Sequence, residues 1–140
     1  MTEPNVEAAS VLATSPAYTI LLSRDLDASR RFYRDVLGLE ILREDAGPDV
    51  EPRIVFKTAN GRLILSKSTV GTSDTQTQMA WMVPDIRAAV EELRARGVKI
   101  EDYVAPAPVT DDGVADMGHS WAAWFLDPGG NVLAVVQPKA

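Results

Sequence analysis

Residues 124–137 read WFLDPGGNVLAVVQ, two apolar runs on either side of Asp-Pro-Gly-Gly-Asn. Proline presets φ, glycine supplies positive φ and asparagine tolerates the left-handed region, so the five residues predict the turn of a β-hairpin. The returning strand, Asn131–Val136, is apolar at every position after the asparagine. A strand with one face in water alternates apolar and polar residues. This one does not, and the question is what lies against its second face.

Working outward, the order of elements occurs twice. Tyr18–Ser23 (YTILLS) reads as a strand, and Asp25 or Asp27 can cap a helix running to Leu37 with Phe32, Tyr33, Val36 and Leu37 on one side. Gly38 ends it. Strands are expected near Leu39–Arg43, Arg53–Lys57 and Arg62–Lys67, the last two joined by an Asn60-Gly61 turn. In the second half Gln78–Val83 is a strand, Pro84 and Asp85 open a helix with Ile86, Ala89, Val90 and Leu93 on one face, and Gly97 stops it. Strands near Val98–Val104, Ser120–Leu126 and Asn131–Val136 follow.

The chain therefore divides into a tail over 1–15 and one domain over 17–137, with module one at 17–68, a polar linker at 69–77 and module two at 78–137. The fold class is α+β: two βαβββ modules forming a curled, barrel-like mixed sheet with the helices outside. One helix covers only one face of a four-stranded sheet, so the inner face meets a small-molecule cavity or a partner subunit. Ala134 is expected to point inward and leave room there.

Bulk properties narrow the function. With 140 residues and no cysteine, the chain needs no disulfides and has no thiolate for a metal or for nucleophilic catalysis. A formal charge of -6 argues against nucleic-acid and anionic-membrane partners. No apolar run approaches the roughly 20 residues that span a bilayer, and MTEPNVEAAS has no basic region of a signal peptide. The cytoplasm is the expected location. Glycine-rich nucleotide motifs are absent, so no cofactor is expected.

The segments SRDLDASRRFYRDVLGLEIL and FLDPGGNVLAVV resemble the two signature segments of the vicinal oxygen chelate superfamily, which includes glyoxalase I, extradiol dioxygenases, fosfomycin-modifying enzymes and bleomycin-resistance binding proteins. The resemblance covers about residues 17–137. It implies the fold above, and it implies that metal-using members place ligands at positions occupied here by Tyr18, Leu65, Gln78 and Ala134. Leucine and alanine cannot coordinate, and tyrosine and glutamine are poor ligands for ions that prefer imidazole and carboxylate. No metal site is expected, and no catalytic residue is assigned.

Other candidates are weaker. His119, the single histidine, reads as a strand-edge residue. The acidic segment Thr110–Met117 lacks the ligand spacing of a calcium loop, and with the preceding APAP it reads as a solvated lid. Alternation from Gln78 puts Trp81 on the helix side, and the resemblance implies a register for Ser120–Leu126 with Trp124 inward and Trp121 outside. The reading that results is a metal-independent protein that sequesters a small apolar or aromatic molecule, paired as a homodimer, with Tyr18, Leu63, Leu65, Gln78, Met82, Trp124 and Ala134 lining the pocket. The alternative is an enzyme of the same superfamily with a non-standard metal site or none.

Overall fold

A computed structural model describes residues 8–72 and 75–140, so part of the expected tail and of the linker lies outside the described residues. Module one comprises β1 (Thr19–Ser23), helix α1 (Leu26–Arg30, continued by a π-wound segment Arg31–Val36), β2 (Ile41–Asp45), β3 (Arg53–Thr58) and β4 (Gly61–Lys67). Module two comprises β5 (Thr77–Met82), α2 (Ile86–Ala95), β6 (Thr110–Asp111), β7 (Val114–Asp116), β8 (Ser120–Leu126) and β9 (Val132–Pro138). A short 3₁₀ turn, Val11–Thr14, precedes β1. The strand orders are β1-β4-β3-β2 and β5-β9-β8-β7-β6, with β1–β4 and β5–β9 parallel and the other pairs antiparallel. The sheets remain open; no barrel closes.

The two helices start as their sequences dictate. Asp25 Oδ1 accepts from Ala28 N–H and Asp85 Oδ1 from Ala88 N–H, both at 3.1 Å, which satisfies a donor that has no intrahelical acceptor. Gly38 and Gly97 leave the helices at φ of 76° and 89°. The π-winding shows in Leu37 N–H, which donates to Phe32 C=O five residues back.

One expected element does not form. Val98 and Ile100 are buried in the core, but Val98–Val104 makes no strand, and the chain continues as a loop to Val109. Pro106 and Pro108, just beyond it, lack backbone donors, so a ladder cannot extend through the rest of the loop. The short β6–β7 hairpin takes the outer place in the sheet instead.

A single core lies on the helix side and draws on both modules. Leu21, Ile54, Phe56, Leu63 and Leu65 meet Ile86, Val90, Phe125, Leu133 and Val135 there. Trp81 stacks on Phe125 at 6.2 Å between ring centroids, and Phe32 reaches Phe125 from module one at 6.5 Å. Leu63 and Leu65 are 0% exposed in this core. Their expected place on the inner face is therefore corrected by one residue: Arg62, Ile64 and Ser66 occupy that face. The Leu63-Ile64-Leu65 run is apolar on both sides, so alternation alone cannot set its register.

Module joining also has a polar component. The Tyr33 hydroxyl donates to Asp127 Oδ2 at 2.7 Å, and Asn131 Nδ2 donates to the same oxygen at 2.7 Å and to Leu22 C=O at 2.9 Å. Asp127 Oδ1 accepts from the backbone N–H groups of Gly129 and Asn131, which shapes the turn. Gln78 Nε2 donates to Asn131 Oδ1, and Gln78 Oε1 accepts from Val132 N–H, each at 2.9 Å. Gln78 sits where the β5–β9 register slips between Thr77 and Met79, and its amide turns into this network, so the expected ligand-facing role is corrected. Among the described residues no buried side-chain nitrogen or oxygen lacks a partner.

Two outcomes follow from this network. Asn131→Ala strands Leu22 C=O, Asp127 and Gln78 together, and urea unfolding is expected to show a loss of about 3 kcal/mol or more; a change no larger than that of an exposed substitution would remove the network's structural role. Burial, then the charge of Asp127 and the hydrogen bond to it, raise the Tyr33 hydroxyl far above its usual pKa of 10.0. The unfolded chain then releases this proton first, so the stability contributed is complete below pH 10 and falls as pH rises beyond it. Alkaline unfolding should be less steep with pH in Tyr33→Phe than in the wild type.

Candidate functional site: the open faces of the two sheets

With one face of each sheet committed to the shared core, function falls to the other. In module one, period-2 alternation presents Tyr18, Ile20 and Leu22 along β1, Arg62, Ile64 and Ser66 along β4, and Arg53, Val55 and Lys57 along β3. A bulge between Ile41 and Arg43 brings Arg43 opposite Val55. The result is a recess of about 510 Å³ lined by Tyr18, Leu42, Arg43, Arg53, Val55, Arg62 and Ile64. Val55 and Ile64 form its floor. Arg53 Nε donates to Asp45 Oδ2 at 2.7 Å, and Arg43 Nε lies 3.2 Å from the other oxygen of the same carboxylate. The Arg53 hydrogen bond is the main reason the Asp45 carboxyl is held below the usual range.

The open face of module two is different. Trp124 and Ala134 are register partners on β8 and β9, and with Ala115, Ala122 and Val132 they form a small apolar cluster. Ala134 is buried in this cluster, 1% exposed. Trp124 is 8% exposed; its indole N–H donates to Thr77 Oγ1 at 3.0 Å, and Tyr103 meets it edge-on at 5.6 Å. Thr110 pins this tyrosine, its hydroxyl accepting from Tyr103 N–H at 2.8 Å and its own N–H donating to Tyr103 C=O at 3.1 Å. The loop after α2 thus lies over the aromatic face, and burial raises the Tyr103 hydroxyl pKa.

The residues expected to line a pocket are distributed unevenly. Tyr18, 57% exposed, belongs to the module-one recess, and Trp124 and Ala134 belong to the module-two face. Met82 stands 79% exposed on β5 beside Val136. Leu63, Leu65 and Gln78 are withdrawn into core and network. The residues that the sequence reading missed are Arg43, Arg53, Arg62 and Tyr103. Arg53 and Arg62 carried a signal, because Arg62-x-Ile64-x-Ser66 and Arg53-x-Val55-x-Lys57 alternate polar and apolar groups as an accessible face does, whereas Arg43 reaches the face through the β2 bulge. Tyr103 carried none, since its position depends on a loop.

The donor set does not fit the metal ion that the resemblance implies. On the recess face the one carboxylate, Asp45, is engaged by two arginines. His119 is exposed at the start of β8, with Nδ1 at 2.8 Å from Ser120 Oγ. In the acidic segment, Asp112 pairs with Arg94 and Asp116 with Lys139. Among the described residues no group of three or more His, Cys, Asp or Glu side chains could hold a metal.

A family model described as Glyoxalase/Bleomycin resistance protein/Dioxygenase superfamily matches residues 15–135. The chain belongs to this superfamily. Among curated relatives, a probable lactoylglutathione lyase from Synechocystis sp. (strain ATCC 27184 / PCC 6803 / Kazusa) is 26% identical over 132 residues, covering 88% of this chain and 95% of the relative. Among solved structures, a glyoxalase family protein from Enterococcus faecalis superposes with a TM-score of 0.68 at 19% identity, covering 90% of this chain and 99% of that one. TnmS3, an antibiotic binding protein from Streptomyces sp. CB03234, superposes with a TM-score of 0.66 at 22% identity, covering 87% and 93%. At these identities the superpositions establish the fold. The superfamily assignment agrees with the paired modules. No helix among the described residues is long and apolar enough to cross a membrane.

The Tyr103–Trp124 contact can be tested directly. Tyr103→Ala should uncover the indole, increasing acrylamide quenching of the emission that Trp124→Phe removes. The edge-on pair is worth on the order of 0.5–1.5 kcal/mol, and the thermal midpoint should fall accordingly. Unchanged quenching would mean that Tyr103 does not cover Trp124 in solution.

Proposed function

We propose that this superfamily member is a metal-independent binding protein that sequesters a small apolar or aromatic molecule between open sheet faces, and that it works as a homodimer. The observation that carries the reading is the exposure of Tyr18, Ile20, Leu22 and Met82 on strands whose opposite face is already packed. Monomeric proteins keep such apolar surface small, and a contiguous stripe of it marks a ligand or partner surface. β1 and β5 each also end a sheet, and an open edge beside apolar side chains favours a second chain. The aromatic pair Tyr103 and Trp124 offers a stacking surface once the loop yields. A neighbour of the same fold is described as antibiotic binding, and a donor set that does not fit an ion weighs against the Lewis-acid route used for lyase and dioxygenase chemistry.

The test uses pyrenebutanol, a neutral aromatic fluorophore. Saturable binding is expected, weakened about tenfold by Trp124→Ala and unaffected by Trp121→Phe, because Trp121 packs on the helix side beneath Lys139. Light scattering should give the mass of two chains. No turnover of a glyoxal thiohemiacetal or a catechol is expected with added divalent metal. Turnover that depends on the metal, or a monomer that binds no aromatic probe, would overturn the proposal.

A further inference from the structure

The recess of module one has a charge that the rest of the chain lacks. The protein as a whole carries -6, yet within the paired strands this face presents Arg43, Arg53, Lys57 and Arg62 against the single carboxylate Asp45. Arg43 and Arg53 share that carboxylate. Lys57 and Arg62 are direct cross-strand partners in the β3–β4 ladder, and among the described residues neither forms an ion pair. Like charges placed directly opposite on an antiparallel pair repel and lower stability. An anion between them converts that repulsion into two charge-assisted hydrogen-bonding sites.

We infer that the recess of module one binds a small organic acid, with its carboxylate held by Arg62 and Lys57 and its apolar or aromatic body laid on Val55 and Ile64 beside Tyr18. The inference rests on the binding reading above and specifies the chemical class of the ligand. Geometry supports the division of roles. Lys57 and Arg53 stand four residues apart on β3, roughly 13 Å along an extended strand. At the Arg53 end Asp45 offsets one of two arginine charges, whereas Lys57 and Arg62 at the other end are both uncompensated, so the larger positive charge lies at the Arg62 end. The floor between them is apolar, so a ligand with one charged end matches it. A planar guanidinium donates a two-pronged pair of hydrogen bonds to a carboxylate, which fixes orientation as well as adding affinity. Water reaches Arg62 freely, so the attraction is expected to be sensitive to salt.

Pyrenebutyrate and pyrenebutanol share one ring system and differ at the end of the chain, so comparing them isolates the carboxylate. Fluorescence titration of the full chain at low ionic strength should show pyrenebutyrate binding about tenfold more tightly, with the advantage shrinking as salt is raised. Arg62→Gln should abolish the advantage, so that the two probes bind with equal affinity, its fold checked by circular dichroism. Lys99→Gln, which removes one exposed charge outside the recess, should leave both affinities alone. Equal affinity for the two probes in the wild type, or an advantage that survives Arg62→Gln, would overturn the inference while the binding function stands. Failure of both probes to bind would overturn the two together. An Arg62→Gln variant that changes the mass measured by light scattering, with no effect on pyrenebutyrate, would assign the cations to contact with a second copy and also overturn it.

Discussion

Asp127 is a buried carboxylate at the point where four segments of the chain converge. It receives the Tyr33 hydroxyl from the helix of module one, the Asn131 amide from its own turn and two backbone N–H groups. Asn131 then continues to the end of β1 through Leu22 C=O and to β5 through Gln78. A buried charge is tolerable only when its hydrogen-bonding capacity is filled, and here the groups that fill it come from both modules. The turn, the helix and the two edge strands are therefore held in one geometry. The FYRD and DPGGN segments that carry the family resemblance include Tyr33, Asp127 and Asn131. Their residue types follow from joining the halves, which explains why the resemblance indicates fold so much better than chemistry.

That junction has a functional consequence. Because both modules place their helices toward a shared core, Leu63, Leu65, Phe125 and Leu133 are used for packing, and ligand recognition is left to the alternate residues of the same strands. The two faces so released are chemically unlike. One is a recess with an apolar floor and cationic ends, and the other is an aromatic surface of Trp124 under Tyr103. A binding protein with one aromatic and one cationic wall can distinguish ligands by charge as well as by shape, since removing a paired charge costs far more than removing a methylene. The proposed homodimer would bring such walls together from two chains.

Much of this could be read from the amino-acid order. The repeated strand–helix–strand pattern, the Asp25 and Asp85 caps, the Gly38 and Gly97 stops and the DPGGN hairpin are local features, each governed by residues within a few positions of one another.

What the order of residues determined by itself was the two helices, the strands other than the β6–β7 hairpin, and the chemistry available to them. The tertiary structure decided which face of β4 was open, because Leu63-Ile64-Leu65 is apolar at every position and only packing against α1 and Phe56 selects Leu63 and Leu65 for the core. It decided that Gln78 turns into the junction, because the partner amide at Asn131 is 53 residues away and a bulge aims the side chain at it. It decided that Tyr103 covers Trp124, because a loop interrupted by prolines carries no periodicity. Long-range hydrogen bonds and register depend on which segments meet in space, and a one-residue shift exchanges every side chain between the buried and the open face.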